Sequence, residues 1–168
     1  MKGEIMRYVW IVLLSLLVSS CAPPAAEVDS TEDFAAKFHG SWKLVSLKEI
    51  DENGEESFTD AFGRLIYDPS GNMAVVVMKP GRNVREVDSY DELNEEEVRT
   101  VLNDSVAYTG TYSVDPEANT VTHSIQASLY PNWAGTDGVR SFEFLDEDRI
   151  VLRPEEATVE LVWQMERP

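Results

Sequence analysis

From residue 41 onward the chain is a series of short runs in which apolar and polar residues alternate, broken by turn-forming clusters. No other feature narrows its folding options as much. Eight runs stand out: Ser41 to Ile50, Arg64 to Tyr67, Asn72 to Met78, Ala107 to Val114, Thr120 to Leu129, Val139 to Leu145, Arg149 to Leu152 and Thr158 to Glu166. Between them lie Glu52-Asn53-Gly54, Asp68-Pro69-Ser70-Gly71, Asp115-Pro116-Glu117, Asp146-Glu147-Asp148 and Arg153-Pro154-Glu155. Alternation with a period of two at roughly ten-residue spacing specifies half-buried strands, and short polar loops join antiparallel neighbours. The pattern predicts an all-β sandwich or barrel. Two segments interrupt it. Phe34 to Phe38 is placed to form a short helical plug ahead of the first strand. Ser89-Tyr90-Asp91-Glu92 has capping-box spacing, and Leu93, Val98, Val101, Leu102 and Val106 continue it as one amphipathic helix. Such a helix would either cover a barrel mouth or lie on the surface over the barrel bottom.

The N-terminus follows a different logic. Lys2 and Arg7 precede an apolar run from Tyr8 to Val18, followed by Ser19, Ser20 and Cys21. A charged start, a short apolar stretch and small residues describe an export signal, and the stretch falls short of the roughly 20 residues of a spanning helix. Val18-Ser19-Ser20-Cys21 resembles the lipobox of bacterial lipoproteins, with Val18 where Leu is usual. The resemblance implies a signal peptide over residues 1–20, a diacylglyceryl group on Cys21 and an acylated new N-terminus. Cys21 is the only cysteine of the chain, so no thiol would remain for a disulfide and the core alone must hold the fold. Ala22, in place of Asp, implies outer-membrane attachment facing the periplasm. Residues 21–33 are rich in Pro, Ala, Ser and acids without periodicity, which reads as a flexible tether. The folded domain is expected over residues 34–168.

Charge removes one class of partner. With 14 Lys and Arg against 31 Asp and Glu, the formal charge of −17 repels phosphate backbones, so no nucleic-acid partner is expected. Hydrophobic residues at 43% and charged residues at 27% argue against disorder and against a multi-span membrane protein.

Strand parity places chemistry on the inward face. In the fifth run Val121, His123, Ile125, Ala127 and Leu129 share one side, putting a histidine among apolar residues. The sixth run sets Arg140 in phase with Phe142 and Phe144, the fourth aligns Tyr108, Gly110, Tyr112 and Val114, and the second aligns Leu65 with Tyr67. The last run aligns Val159, Leu161, Trp163, Met165 and Arg167. Burying an unpaired arginine or several hydroxyls costs several kcal/mol, so these groups must pair with one another, stay hydrated in a cavity or meet a ligand.

Gly40-Ser41-Trp42 at the start of the first run is similar to the Gly-x-Trp signature of lipocalins and related calycins. The wider resemblance is to bacterial lipocalin-like domain proteins. It is carried by Gly40-Ser41-Trp42-Lys43-Leu44-Val45-Ser46, Gly63-Arg64-Leu65-Ile66-Tyr67, Asp68-Pro69-Ser70-Gly71-Asn72-Met73, Tyr108-Thr109-Gly110-Thr111-Tyr112, Val121-Thr122-His123, and Ser128-Leu129-Tyr130-Pro131-Asn132-Trp133-Ala134-Gly135-Thr136 with Val139-Arg140. After the third strand only Lys79-Pro80-Gly81-Arg82 represents the family's Gly- and Pro-rich stretch. The resemblance implies an eight-stranded antiparallel up-and-down barrel with one inserted helix, holding a small hydrophobic or amphipathic molecule. Trp42 and Arg167 would pack at the closed end as structural residues. Tyr67, Tyr108, Tyr112, His123, Trp133 and Arg140 are the candidate cavity residues. Arg140 beside hydroxyls suits a carboxylate or another polar oxygen on an otherwise apolar ligand.

Catalytic signatures are absent from the sequence: no Cys nucleophile, no Gly-x-Ser-x-Gly elbow, no phosphate loop and no His cluster with metal-ligand spacing. Neither a metal nor any other cofactor is expected, and a monomer is. Three readings stay open. The chain is a membrane-tethered carrier or receptor for a small hydrophobic ligand, a small isomerase or cyclase using His123 as acid and base, or a barrel filled by its own side chains that binds another envelope protein.

Overall fold

A computed structural model of the protein describes residues 31–82, 85–155 and 158–166. Cys21, Arg167, the signal segment and most of the tether lie outside the described residues. The described chain opens with helix α1 (Thr31–Ala35) and a 3-10 turn (Ala36–Phe38). Nine strands follow: β1 (Gly40–Ile50), β2 (Glu56–Phe58), β3 (Phe62–Tyr67), β4 (Asn72–Met78), β5 (Ser105–Asp115), β6 (Thr120–Ser128), β7 (Asp137–Phe144), β8 (Arg149–Pro154) and β9 (Val159–Met165). Helix α2 (Glu95–Asn103) is inserted between β4 and β5.

The strands from β3 to β9 pair in sequence order, and β1 joins both β3 and β9, all antiparallel. Eight strands therefore close into a barrel with no free edge. The ninth is an addition to the expected eight: β2 is three exposed residues that pair only with Lys48–Ile50 at the end of β1. Its hairpin turns on Asp51, whose Oδ1 accepts from the backbone N–H of Asn53 and Glu55, each at 2.8 Å. Asp68 organises the β3–β4 turn in the same way, accepting from the N–H of Ser70 at 2.7 Å and of Asn72 at 3.0 Å, while Gly71 takes φ 83°. A left-handed φ there excludes most side chains.

The N-terminal helix and 3-10 turn plug one end. Phe38 is fully buried and meets Tyr67, Phe142 and Phe144 edge-on, with ring centroids at 5.6, 5.0 and 5.3 Å. Trp42, also fully buried, donates its indole N–H to the Phe38 carbonyl at 2.8 Å, which fastens the plug to β1. The helical segment begins at Thr31, ahead of the expected Phe34.

Two expectations are corrected. The inserted helix does not start from Ser89: the Ser89 hydroxyl donates to Asp91 at 2.6 Å within a lone 3-10 turn (Tyr90–Glu92), and Leu93 is extended. The capping box forms at Asn94 instead, with Asn94 accepting from the Glu97 N–H and Glu97 accepting from the Asn94 N–H. Val106 belongs to β5. The inward parity of β6 also fails beyond Ile125. A bulge leaves Gln126 without a partner between Ile125, opposite Gly110, and Ala127, opposite Thr109. An extra residue reverses the faces, so Ala127 and Leu129 are exposed.

Candidate functional site

Beyond the aromatic plug the barrel interior opens into a cavity of about 530 Å³ that reaches the mouth opposite the plug. Its walls are mostly apolar: Leu47 from β1, Leu65 from β3, Val75 and Val77 from β4, Ile125 from β6, Leu152 from β8, and Leu161 and Trp163 from β9. At the rim stand Glu49, Lys79, Asn103, Asp104 and Asp137. The end of α2 thus borders the mouth, while none of its residues is buried. Of the six candidate cavity residues, Tyr108, His123, Trp133 and Arg140 line the cavity. Tyr67 and Tyr112 do not. Tyr67 lies under His123 at the plugged end, and Tyr112 packs against Tyr67 with tilted rings, centroids 4.6 Å apart, while its hydroxyl donates to the Asp68 carbonyl at 3.1 Å.

A single hydrogen-bonded chain crosses the interior. Tyr67 Oη lies 2.6 Å from His123 Nε2, Tyr108 Oη lies 2.9 Å from His123 Nδ1, and an Arg140 Nη donates to Tyr108 Oη at 2.8 Å. The other Arg140 Nη donates to the Gly138 carbonyl. Gly138 also leaves the guanidinium its space, since a Cβ there would stand 3.1 Å from Arg140 Nη2. The guanidinium additionally sits over the Tyr108 ring, 5.6 Å from its centroid. Arg140 forms no ion pair among the described residues.

The hydrogen-bond partners along this chain fix the tautomer of His123. Tyr67 is 1% exposed and has no other hydrogen-bond partner among the described residues. Were Nε2 protonated, the Tyr67 O–H would have no acceptor, at a cost of about 1–3 kcal/mol for a buried donor. Tyr67 therefore donates to Nε2, Nδ1 carries the proton, and Nδ1–H donates to Tyr108. Burial holds the His123 pKa well below its ordinary 6.5, and the Arg140 charge acts in the same direction. Burial likewise raises the Tyr67 hydroxyl well above 10.0, with Tyr108 adding to it and Arg140 opposing. Tyr108 is raised by burial against the pull of Arg140.

This arrangement has a measurable pH signature. Tyr67, Tyr108 and Arg140 face His123, and burial, which raises both phenols, keeps them neutral between pH 5 and 7. As pH falls through about 6.5 the unfolded chain binds a proton that the native ring refuses, and stability declines towards about 1.4 kcal/mol per pH unit. It is fully present above that pH. The lowered carboxyl pKa values of Asp51, Asp68 and Glu97 act only at more acid pH. Denaturant titrations from pH 7.5 to 5 will show this slope, and His123→Gln will flatten it. Nitrogen-15 spectra of His123 will show a protonated Nδ1 and a bare Nε2; a protonated Nε2 at neutral pH would refute the assignment.

Trp163, also on the wall, is an aromatic residue outside the six candidates. It is 2% exposed, and its indole nitrogen has no acceptor among the described residues. The signal was available, because strand parity already put Trp163 on the inward face.

A closed up-and-down barrel, plugged at one end and holding an apolar cavity with a few convergent polar groups, defines the class of small barrels built around an interior space. Residues 39–166 match the family model described as the lipocalin-like domain, and the chain belongs to that family. One curated protein is 33% identical over 70 residues, the 4'-hydroxy-3'-methoxypropiophenone carrier protein of Aspergillus oryzae. That match covers 38% of this chain and 63% of the relative's length. Among solved structures, a redesigned β-barrel aligns over 79% of this chain and 95% of its own, at 12% identity and a TM-score of 0.39.

Proposed function

We propose that this protein is a lipid-anchored carrier that holds one small apolar or amphipathic molecule inside its barrel, in the envelope of a bacterium. The cavity carries the reading. Its roughly 530 Å³ is within the range of small-ligand sites, and a mostly apolar wall with few polar groups is their usual composition. Family membership supports it, as does the carrier role of the Aspergillus oryzae relative. A barrel filled by its own side chains is disfavoured by the same volume. Acid-base catalysis by His123 is disfavoured by its hydrogen bonds, because both ring nitrogens are occupied by tyrosines and neither is free for a substrate. Attachment rests on the Val18-Ser19-Ser20-Cys21 signal, with the folded domain spaced from an outer-membrane surface by the tether.

One experiment tests both halves. The full chain, expressed in a Gram-negative host and extracted from its membrane fraction, is analysed by native and then denaturing mass spectrometry. The expected result is an N-terminal Cys21 with three acyl chains, and a small molecule bound one to one that denaturation releases. An unmodified N-terminus removes the anchor. An empty barrel that no apolar compound stabilises removes the carrier.

A further inference from the structure

The proton on His123 Nδ1 shapes what the cavity recognises. Tyr108 Oη accepts from His123 Nδ1–H and from Arg140, so its own O–H is left without an acceptor among the described residues. Tyr108 is on the cavity wall. The Arg140 guanidinium beside it is tied only to Tyr108 and to a backbone carbonyl, again among the described residues. The innermost polar surface of the cavity therefore offers donors and no free acceptor, and a bound molecule must supply the complement.

The rim decides the charge of that molecule. Glu49, Asp104 and Asp137 line the mouth, and Lys79 is paired with Glu49 at 2.9 Å. With a net charge of −17 on the chain, the field at the mouth opposes an incoming anion. Resting on the carrier reading above, we infer that the ligand is a neutral molecule with a carbonyl oxygen at its buried end, held by the Tyr108 O–H and the Arg140 guanidinium. His123 is then a positioning residue: by donating to Tyr108 it turns the phenol into a donor towards the cavity.

Three naphthalenes of nearly equal shape test this: 2-acetylnaphthalene, 2-ethylnaphthalene and 2-naphthoate. The full chain in phosphatidylcholine nanodiscs is titrated with each, empty nanodiscs correcting for partition into lipid, and quenching of tryptophan emission is read. Trp133 and Trp163 sit on the wall to report it. The ketone should bind about tenfold or more tighter than either analogue, because donors left unpaired by a misfit ligand penalise it. Tyr108→Phe should lose about that factor for the ketone relative to the hydrocarbon. The infrared carbonyl stretch of the ketone should move to lower frequency on binding to the native chain, a readout independent of any variant. Equal binding of ketone and hydrocarbon, or an unshifted carbonyl, overturns the inference and leaves the carrier standing. Preference for 2-naphthoate overturns it in favour of an anionic ligand. If none of the three binds, this inference falls, and the carrier reading is decided by the mass-spectrometric result above.

Discussion

Gly110→Ala will leave little folded protein, with a stability loss above about 3 kcal/mol, although the change adds one methyl group. Gly110 sits in β5 opposite the bulge of β6. A Cβ there would fall on the Ser124 carbonyl, 2.9 Å from its carbon and 3.0 Å from the Gln126 nitrogen. These are backbone atoms of the neighbouring strand, so no side chain can swing away, and relief requires the β5–β6 ladder to separate. The ladder also aligns the site: on β5 it carries Tyr108, and on β6 His123, whose hydrogen bond spans the two strands. Any residue that folds by spreading the ladder must therefore weaken that bond as well. Chemical denaturation and the Nδ1–H signal of His123 measure the two effects. Gly138→Ala is the contrast, because its added Cβ meets only the movable end of Arg140; it should fold and change the site alone. A Gly110→Ala protein with native stability would show that the bulge is not a tight contact.

Gly110 also marks where the amino-acid sequence stops being legible. The barrel strands are readable because each alternates with period two against a single core, and His123, Tyr67 and Tyr108 face inward as that rule requires. A bulge breaks the rule without a local signal. Nothing around Gln126 differs from an ordinary strand, and the only clue is a glycine in the partner strand whose register is unknown until the sheet is built. The inserted helix was ambiguous for another reason. Ser89 with Glu92 and Asn94 with Glu97 both satisfy the capping-box spacing, and the choice falls to the downstream residues, which continue as a helix only from Glu95. Three-residue β2, fully exposed, has no inward face to pattern. In the site, parity could say which side chains point inward but not how deep they lie along the barrel axis. Depth separates Tyr108, at the cavity, from Tyr67 and Tyr112, which stand nearer the plug and hold the network in place.

That division of the barrel into a plugged end and an open cavity predicts a second large effect. Trp42→Ala should cost about 3–5 kcal/mol, the usual range for emptying a fully buried aromatic site. The loss has two parts. One is volume, because Trp42 is fully buried at the plugged end. The other is the indole hydrogen bond at 2.8 Å to the Phe38 carbonyl, which ties the N-terminal turn to β1. Trp42→Phe separates them: it keeps much of the packing but deletes the donor, leaving a buried carbonyl unpaired, and should cost about 1–3 kcal/mol less than the alanine change. Trp42 is not among the residues lining the cavity. Trp42→Phe should therefore lower the unfolding midpoint while leaving ligand affinity within about twofold, since contacts remote from a site contribute independently unless they share partners. Stability and affinity falling together in that variant would mean that the plug and the cavity act as one unit, with the edge-on ring contacts from Phe38 to Tyr67 to His123 as the physical connection between them.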